Sequence, residues 1–155
     1  QTSGDVLRNW DAIKADEPGR EAGIFGEVPE NLPAPLLARK VQRRAASSGF
    51  DLPDAEVPLE ALGAGVDALA ATARDGADQE RLFAEVGDVL FAAVNVARKL
   101  HVDPELALRG ATGRFRSRVE AAERLAAARG ERWPDLDFDA QLTYYAHAQL
   151  TPEDS

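Results

Sequence analysis

The sequence predicts an all-α protein built as a helical bundle, and three observations carry that prediction. Apolar residues recur at helical spacing along most of the chain, most densely in E-V-G-D-V-L-F-A-A-V-N-V-A-R-K-L at Glu85–Leu100. Helix punctuation is frequent: Asp103-Pro104 reads as a start, and Gly49, Gly76 and Gly130 read as stops. No segment shows the sustained alternation or the β-branched runs of a strand.

Each element follows in order. Residues 1–17 read as a short helix, capped by Ser3 or Asp5, with Val6, Leu7, Trp10 and Ile13 as its apolar stripe. Pro18-Gly19 ends it, and the Pro- and Gly-rich stretch 18–35 reads as loop. A helix opened by Pro35 and closed by Gly49 carries Arg39, Lys40, Arg43 and Arg44, a basic face of the kind that is usually solvated or paired with acidic neighbours. Further helices are predicted over 59–74, 78–101, 103–129 and 137–150. The connections between the helices over 59–129 are short, which makes antiparallel neighbours of them.

With 155 residues, 45% of them hydrophobic, the chain suits one domain with a real core, and 1–155 is read as a single domain. A net charge of −9 and a pI near 4.7 argue against a nucleic-acid surface. No apolar run reaches membrane-spanning length, and no signal peptide is visible. There is no cysteine, so disulfides and thiolate metal sites are excluded, and a reducing, cytoplasmic setting is the expectation. The chain begins at Gln1 and has no Met, so it reads as a domain cut from a longer protein.

The chemistry concentrates in 83–98. Asp88 and Asn95 are seven apart and share a helix face, and Glu85, three before Asp88, joins it. Carboxylates in so apolar a helix need a compensating partner. A divalent cation would serve, and so would an Arg from a neighbouring helix. Asp67 on the preceding helix can face Glu85 and Asp88 across a hairpin, a known way to build a metal site in a bundle. Oxygen-only ligands favour Mg²⁺ or Mn²⁺. Arg114 and Arg118 share a face, and Arg81 lies one turn before Glu85; guanidinium groups suit phosphate, though surface ion pairs with nearby Glu residues are the plainer reading. Tyr144 and Tyr145 are the only tyrosines, one of them a candidate to stack on a base.

Five segments together carry a family resemblance: N-W-D-A-I-K at Asn9–Lys14, N-L-P-A-P-L-L-A-R-K-V-Q-R-R-A-A-S-S-G-F-D-L-P at Asn31–Pro53, the stretch Glu85–Leu100, D-P-E-L-A-L-R-G-A at Asp103–Ala111, and R-F-R-S-R-V-E at Arg114–Glu120. In order and spacing the chain resembles the C-terminal domain of the MazG nucleoside triphosphate pyrophosphohydrolases, in the all-α NTP pyrophosphatase superfamily. The resemblance implies a dimeric helical bundle that hydrolyses an NTP or dNTP to nucleoside monophosphate and pyrophosphate. It implies Mg²⁺ held by a Glu pair on one helix and an E-x-x-D on the next; the E-x-x-D is intact as Glu85 and Asp88, Asp67 is the remaining ligand, Mn²⁺ is a substitute, and Glu85 is the first candidate for the catalytic carboxylate. It places phosphate-binding cations at Arg81, Arg114 and Arg118, and nucleoside-side residues at Asn95 and Tyr145. The family's E-E-x-x-E falls on Gly63, Ala64 and Asp67, so two glutamates are lost and the third is shortened. That departure keeps open a second expectation, a catalytically lapsed helical dimerisation module whose carboxylates survive as ion pairs.

Overall fold

A computed structural model describes residues 23–26, 28–76 and 78–150 of the chain. The helix expected over 1–17 lies outside the described residues. Among those described, all regular structure is helical: α1 (Ala34–Ser47), α2 (Glu56–Arg74), α3 (Gln79–Lys99), α4 (Pro104–Ala128), a 3-10 turn at Trp133–Asp135, and α5 (Phe138–Leu150). The all-α prediction holds, and among the described residues no helix is long and apolar enough to cross a membrane. The chain divides after Glu105 into two compact units.

Local chemistry explains most boundaries. Pro35 sits in the first turn of α1, where its missing N–H costs nothing. Gly49 closes α1 with φ +96°, a left-handed conformation that a Cβ would strain, and the N–H groups of Gly49 and Phe50 return to Ala46 and Ala45. Helix α2 starts at Glu56, earlier than the apolar spacing predicts. Asp54 Oδ1 accepts from the amides of Glu56 and Val57, and Pro58 falls within the first turn, where proline is tolerated. Asp78 caps α3 by accepting from the Arg81 amide at 2.8 Å. Asp137 does the same for α5, accepting from Ala140 N at 2.8 Å. The turn at Trp133–Asp135 carries no periodic signal and was not expected from the sequence.

In the first unit, α2 and α3 pack as a hairpin and α1 lies against α3. Gly65 permits the close approach of α2 to α3, since a Cβ there would stand 3.3 Å from Val89 Cγ2. Gln42, buried in α1, donates from Nε2 to the Phe91 carbonyl of α3 at 3.0 Å. Arg39 pairs with Asp103 at 2.6 Å. Asp51 is gripped by Arg98 at 2.6 Å and Lys99 at 3.1 Å, which fastens the α1–α2 connection to the end of α3. The hydrogen bond from Arg98, aided by those from Lys99 and the Leu52 amide, holds the Asp51 carboxyl far below the usual carboxylate range against the opposing pull of desolvation.

In the second unit, Ala122 and Ala126, four apart on α4, are wholly buried against Tyr144 of α5, with Trp133, Leu136, Tyr145 and Ala148 around them. The Tyr144 hydroxyl donates to Glu131 at 2.6 Å, and that bond raises its pKa. Small side chains at 122 and 126 set how close α5 can come. Ala126→Leu is therefore expected to destabilise the protein by about 1–3 kcal/mol through overpacking. Leucine at the exposed Ala127 should stay within about 0.5 kcal/mol of the parent. Denaturant melts of the two variants check the pair.

Candidate functional site

Glu85 is the centre of the candidate site. The apolar run around it places its helix against α2, so its carboxylate is only 19% exposed. Oε1 accepts from the Thr72 hydroxyl of α2 at 2.9 Å and from Arg81 Nε, one turn earlier on α3, at 3.0 Å. Oε2 is buried and has no hydrogen-bond partner among the described residues. A buried carboxylate oxygen without a donor is costly. A cation is the natural complement, so this half of the carboxylate fits a hard divalent ion.

The bond from Thr72 is the largest cause of a lowered Glu85 pKa; desolvation works against it, and the bond and charge of Arg81 add to it. Glu85 is thus held ionised, which suits a ligand or an orienting anion better than a group that must take up a proton near neutral pH. The linkage follows in sign. A depressed folded pKa contributes stability that is complete above the ordinary value of 4.5 and is lost as pH falls through the lower folded value. Thr72→Val removes the main cause, so the Glu85 carboxyl should titrate at higher pH and acid unfolding should begin sooner. Carbon-detected NMR titration of that carboxyl in parent and variant decides this; an unmoved titration point removes Thr72 from the site.

Thr72 was not anticipated as a site residue. It is 2% exposed, in an Ala-rich stretch, and lies seven residues after Gly65 on the face that meets α3. A lone hydroxyl on that face was the available signal. The same geometry places Asp67 away from Glu85. Gly65 and Thr72 mark the seam with α3, and Asp67, two residues from Gly65, lies about 160° round the helix from it. Asp67 is exposed, as is Asp88. Among the described residues no group of three or more acidic or histidine side chains stands close enough to hold a metal ion, so Asp67, Glu85 and Asp88 are not gathered into one ligand set. Mg²⁺ tolerates that, because it keeps waters and commonly binds through one or two carboxylates plus substrate phosphates.

The remaining candidates divide between the two units. Arg81 is 64% exposed but spends Nε on Glu85, so in this structure it orients the carboxylate. Asn95 Oδ1 accepts from Arg98 Nε at 2.9 Å, the same Arg98 that grips Asp51. Asn95 therefore belongs to the network that holds the Asp51 loop. In the second unit, Arg114 is exposed and Arg118 half-buried on α4. A Cβ at Gly110 would lie 3.3 Å from Arg114 Nη1, so the missing side chain makes room for that guanidinium. Tyr145 is half-buried, with its ring 6.2 Å from Phe115 and tilted by 48°.

Comparison with known proteins bears on this arrangement. The chain is 35% identical over 142 residues to the nucleoside triphosphate pyrophosphohydrolase of Escherichia coli, covering 90% of this chain and 54% of that protein. It is 34% identical over 147 residues to the nucleoside triphosphate pyrophosphohydrolase/pyrophosphatase MazG of Thermotoga maritima, covering 94% of this chain and 56% of that protein. It is also 35% identical over 152 residues to the uncharacterized protein YabN of Bacillus subtilis, covering 97% of this chain and 31% of that one. The chain thus spans about half the length of the first two and less of the third. No family model matches it.

Proposed function

Because this chain is a homologue of the MazG nucleoside triphosphate pyrophosphohydrolases, of which it spans about half the length, we propose that it hydrolyses nucleoside triphosphates to nucleoside monophosphate and pyrophosphate with Mg²⁺, or Mn²⁺, at Glu85. The observation that carries the reading is the divided Glu85 carboxylate, with one oxygen fixed by Thr72 and Arg81 and the other buried without a partner.

Glu85 and Asp88 would hold the ion, one turn apart on α3. When bound, it supplies charge neutralisation of the phosphates and a lower pKa for an attacking water. The chain's own residues do the rest. Thr72 and Arg81 fix the rotamer of Glu85, so that its free oxygen is aimed before substrate arrives. Glu85, held ionised, orients the water that attacks phosphorus. In the second unit, the family resemblance assigns Arg114 and Arg118 to the phosphate chain and Tyr145 to the base. The substrates are NTPs or dNTPs, and the absence of cysteine suits a cytoplasmic setting.

The apolar face of α3 supports a homodimer. Phe83 is 83% exposed, and Val86 and Leu90 follow at helical spacing on the same side, also exposed. Such a face implies a covering partner, and a second copy of this chain is the occupant that the family reading supplies. Light scattering behind a sizing column tests it.

The direct assay is phosphate speciation. Turnover of a panel of canonical and oxidised NTPs and dNTPs should release pyrophosphate, not orthophosphate, and should stop on chelation. Orthophosphate as the sole inorganic product would refute the reaction. The second reading, a lapsed dimerisation module, draws on Gly63 and Ala64, which offer no carboxylate where the resembled motif has two. Calorimetry with Mg²⁺ and a non-hydrolysable NTP separates the readings, because the module gives no binding heat.

A further inference from the structure

A second group of cations lies away from Glu85. Lys40, Arg43, Arg44 and Ser47 occupy one face of α1 and, with Val28, line a cavity of about 290 Å³. None of these residues is on α2 or α3, which carry Thr72, Arg81, Glu85 and Asp88. The neighbouring cation on the same helix, Arg39, is committed to Asp103 at 2.6 Å. Lys40 and Arg43 are exposed, and among the described residues neither forms an ion pair. Ser47 donates its hydroxyl to the Arg43 carbonyl at 2.9 Å, which fixes its oxygen at the cavity wall.

Like charges three and four residues apart on a helix repel one another. Here Lys40 and Arg43, three apart, meet on one concavity in a chain whose net charge is −9. A multivalent anion relieves that repulsion. The Arg43 guanidinium and the Lys40 ammonium are a pair of donors suited to phosphate oxygens. The volume sits at the small end of ligand pockets, enough for a short phosphate chain and too small to enclose a base and a sugar as well. We propose that this α1 cavity binds a di- or triphosphate group, at a site separate from the carboxylate centre on α3. The two sources of such a group are inorganic pyrophosphate and the phosphate tail of a nucleotide.

The test is calorimetric titration of the full chain without divalent metal, with pyrophosphate in one arm and ATP in the other. It does not depend on catalysis, so its failure is distinct from failure of the hydrolase reading. The parent should bind at least one of the two. Binding in the pyrophosphate arm alone assigns the site to the free anion, and comparable binding in both arms assigns it to the shared phosphate chain. Lys40→Gln/Arg43→Gln, which keeps much of the side-chain stems, should weaken that binding about tenfold or more and flatten its salt dependence. Arg116→Gln/Arg124→Gln, which removes exposed α4 cations outside both sites, should leave it within about twofold. Circular dichroism verifies that both variants keep the parental helix content; should the glutamine pair unfold, Arg43→Lys, which keeps the charge but loses the planar fork, should weaken binding in its place. No heat from either ligand, unchanged affinity in the α1 variants, or loss confined to the α4 variant would overturn the proposal.

Discussion

Glu85→Gln is expected to reduce metal-dependent pyrophosphate release from NTPs by at least about 100-fold while leaving the fold intact. The size of the effect follows from what the carboxylate does on both sides. Its Oε1 takes the hydrogen bonds of Thr72 and Arg81, and its Oε2 has no hydrogen-bond partner among the described residues. Glutamine keeps the shape and one acceptor oxygen, so contact with Thr72 and Arg81 survives. It places a neutral NH₂ where a cation would need an anion. Loss of turnover with an unchanged thermal melt marks a site residue. Turnover comparable with the parent would remove Glu85 from the chemistry. Asp88→Asn is a weaker form of the same experiment, because Asp88 is exposed and can be partly replaced by water.

The second large effect is a gain. Ala64→Glu is expected to tighten Mg²⁺ binding by about tenfold or more, since affinity for a hard cation follows the number and charge of its oxygen ligands and position 64 lies about 80° round α2 from Thr72, nearer the seam than Asp67. Gly63→Glu is the control, because Gly63 shares the outward face of Asp67 and no atom stands within 4 Å of a Cβ built there. Replacing a mid-helix glycine also favours α2 by several tenths of a kcal/mol. Calorimetric titration with Mg²⁺, and the metal concentration at half-maximal pyrophosphate release, both measure the change. If neither moves, α2 does not face the ion, and the site rests on α3 alone. The structure already leans part of the way there, because Asp67 lies well off the seam between the two helices.

The residues themselves show why some of this was legible in advance. Glu85 and Asp88 announce themselves because carboxylates in an apolar run are expensive and therefore informative. Gly49 and Gly130 are readable as stops because left-handed backbone suits a residue without a Cβ. Thr72 was not readable in the same way. A single hydroxyl among alanines has no pattern of its own, and its importance appears only when α3 brings Glu85 to within 2.9 Å. Gln42 is similar: a polar residue on a basic helix reads as surface, yet it is buried and bonded to the Phe91 carbonyl. Arg81 was legible as a cation near the site, but its engagement with Glu85 rather than with solvent is a matter of rotamer.

What the chain alone determined is local: which stretches are helical, where they stop, and which face of α3 carries the charge. Those depend on spacing, caps and glycines, all encoded within a few residues. What only the tertiary structure decided is which side of α2 meets α3. Gly65 brings the seam close to Val89, and that choice puts Thr72 against Glu85 and turns Asp67 away. A rotation about a helix axis changes no local energy, so nothing in the run of residues specifies it; packing between helices does.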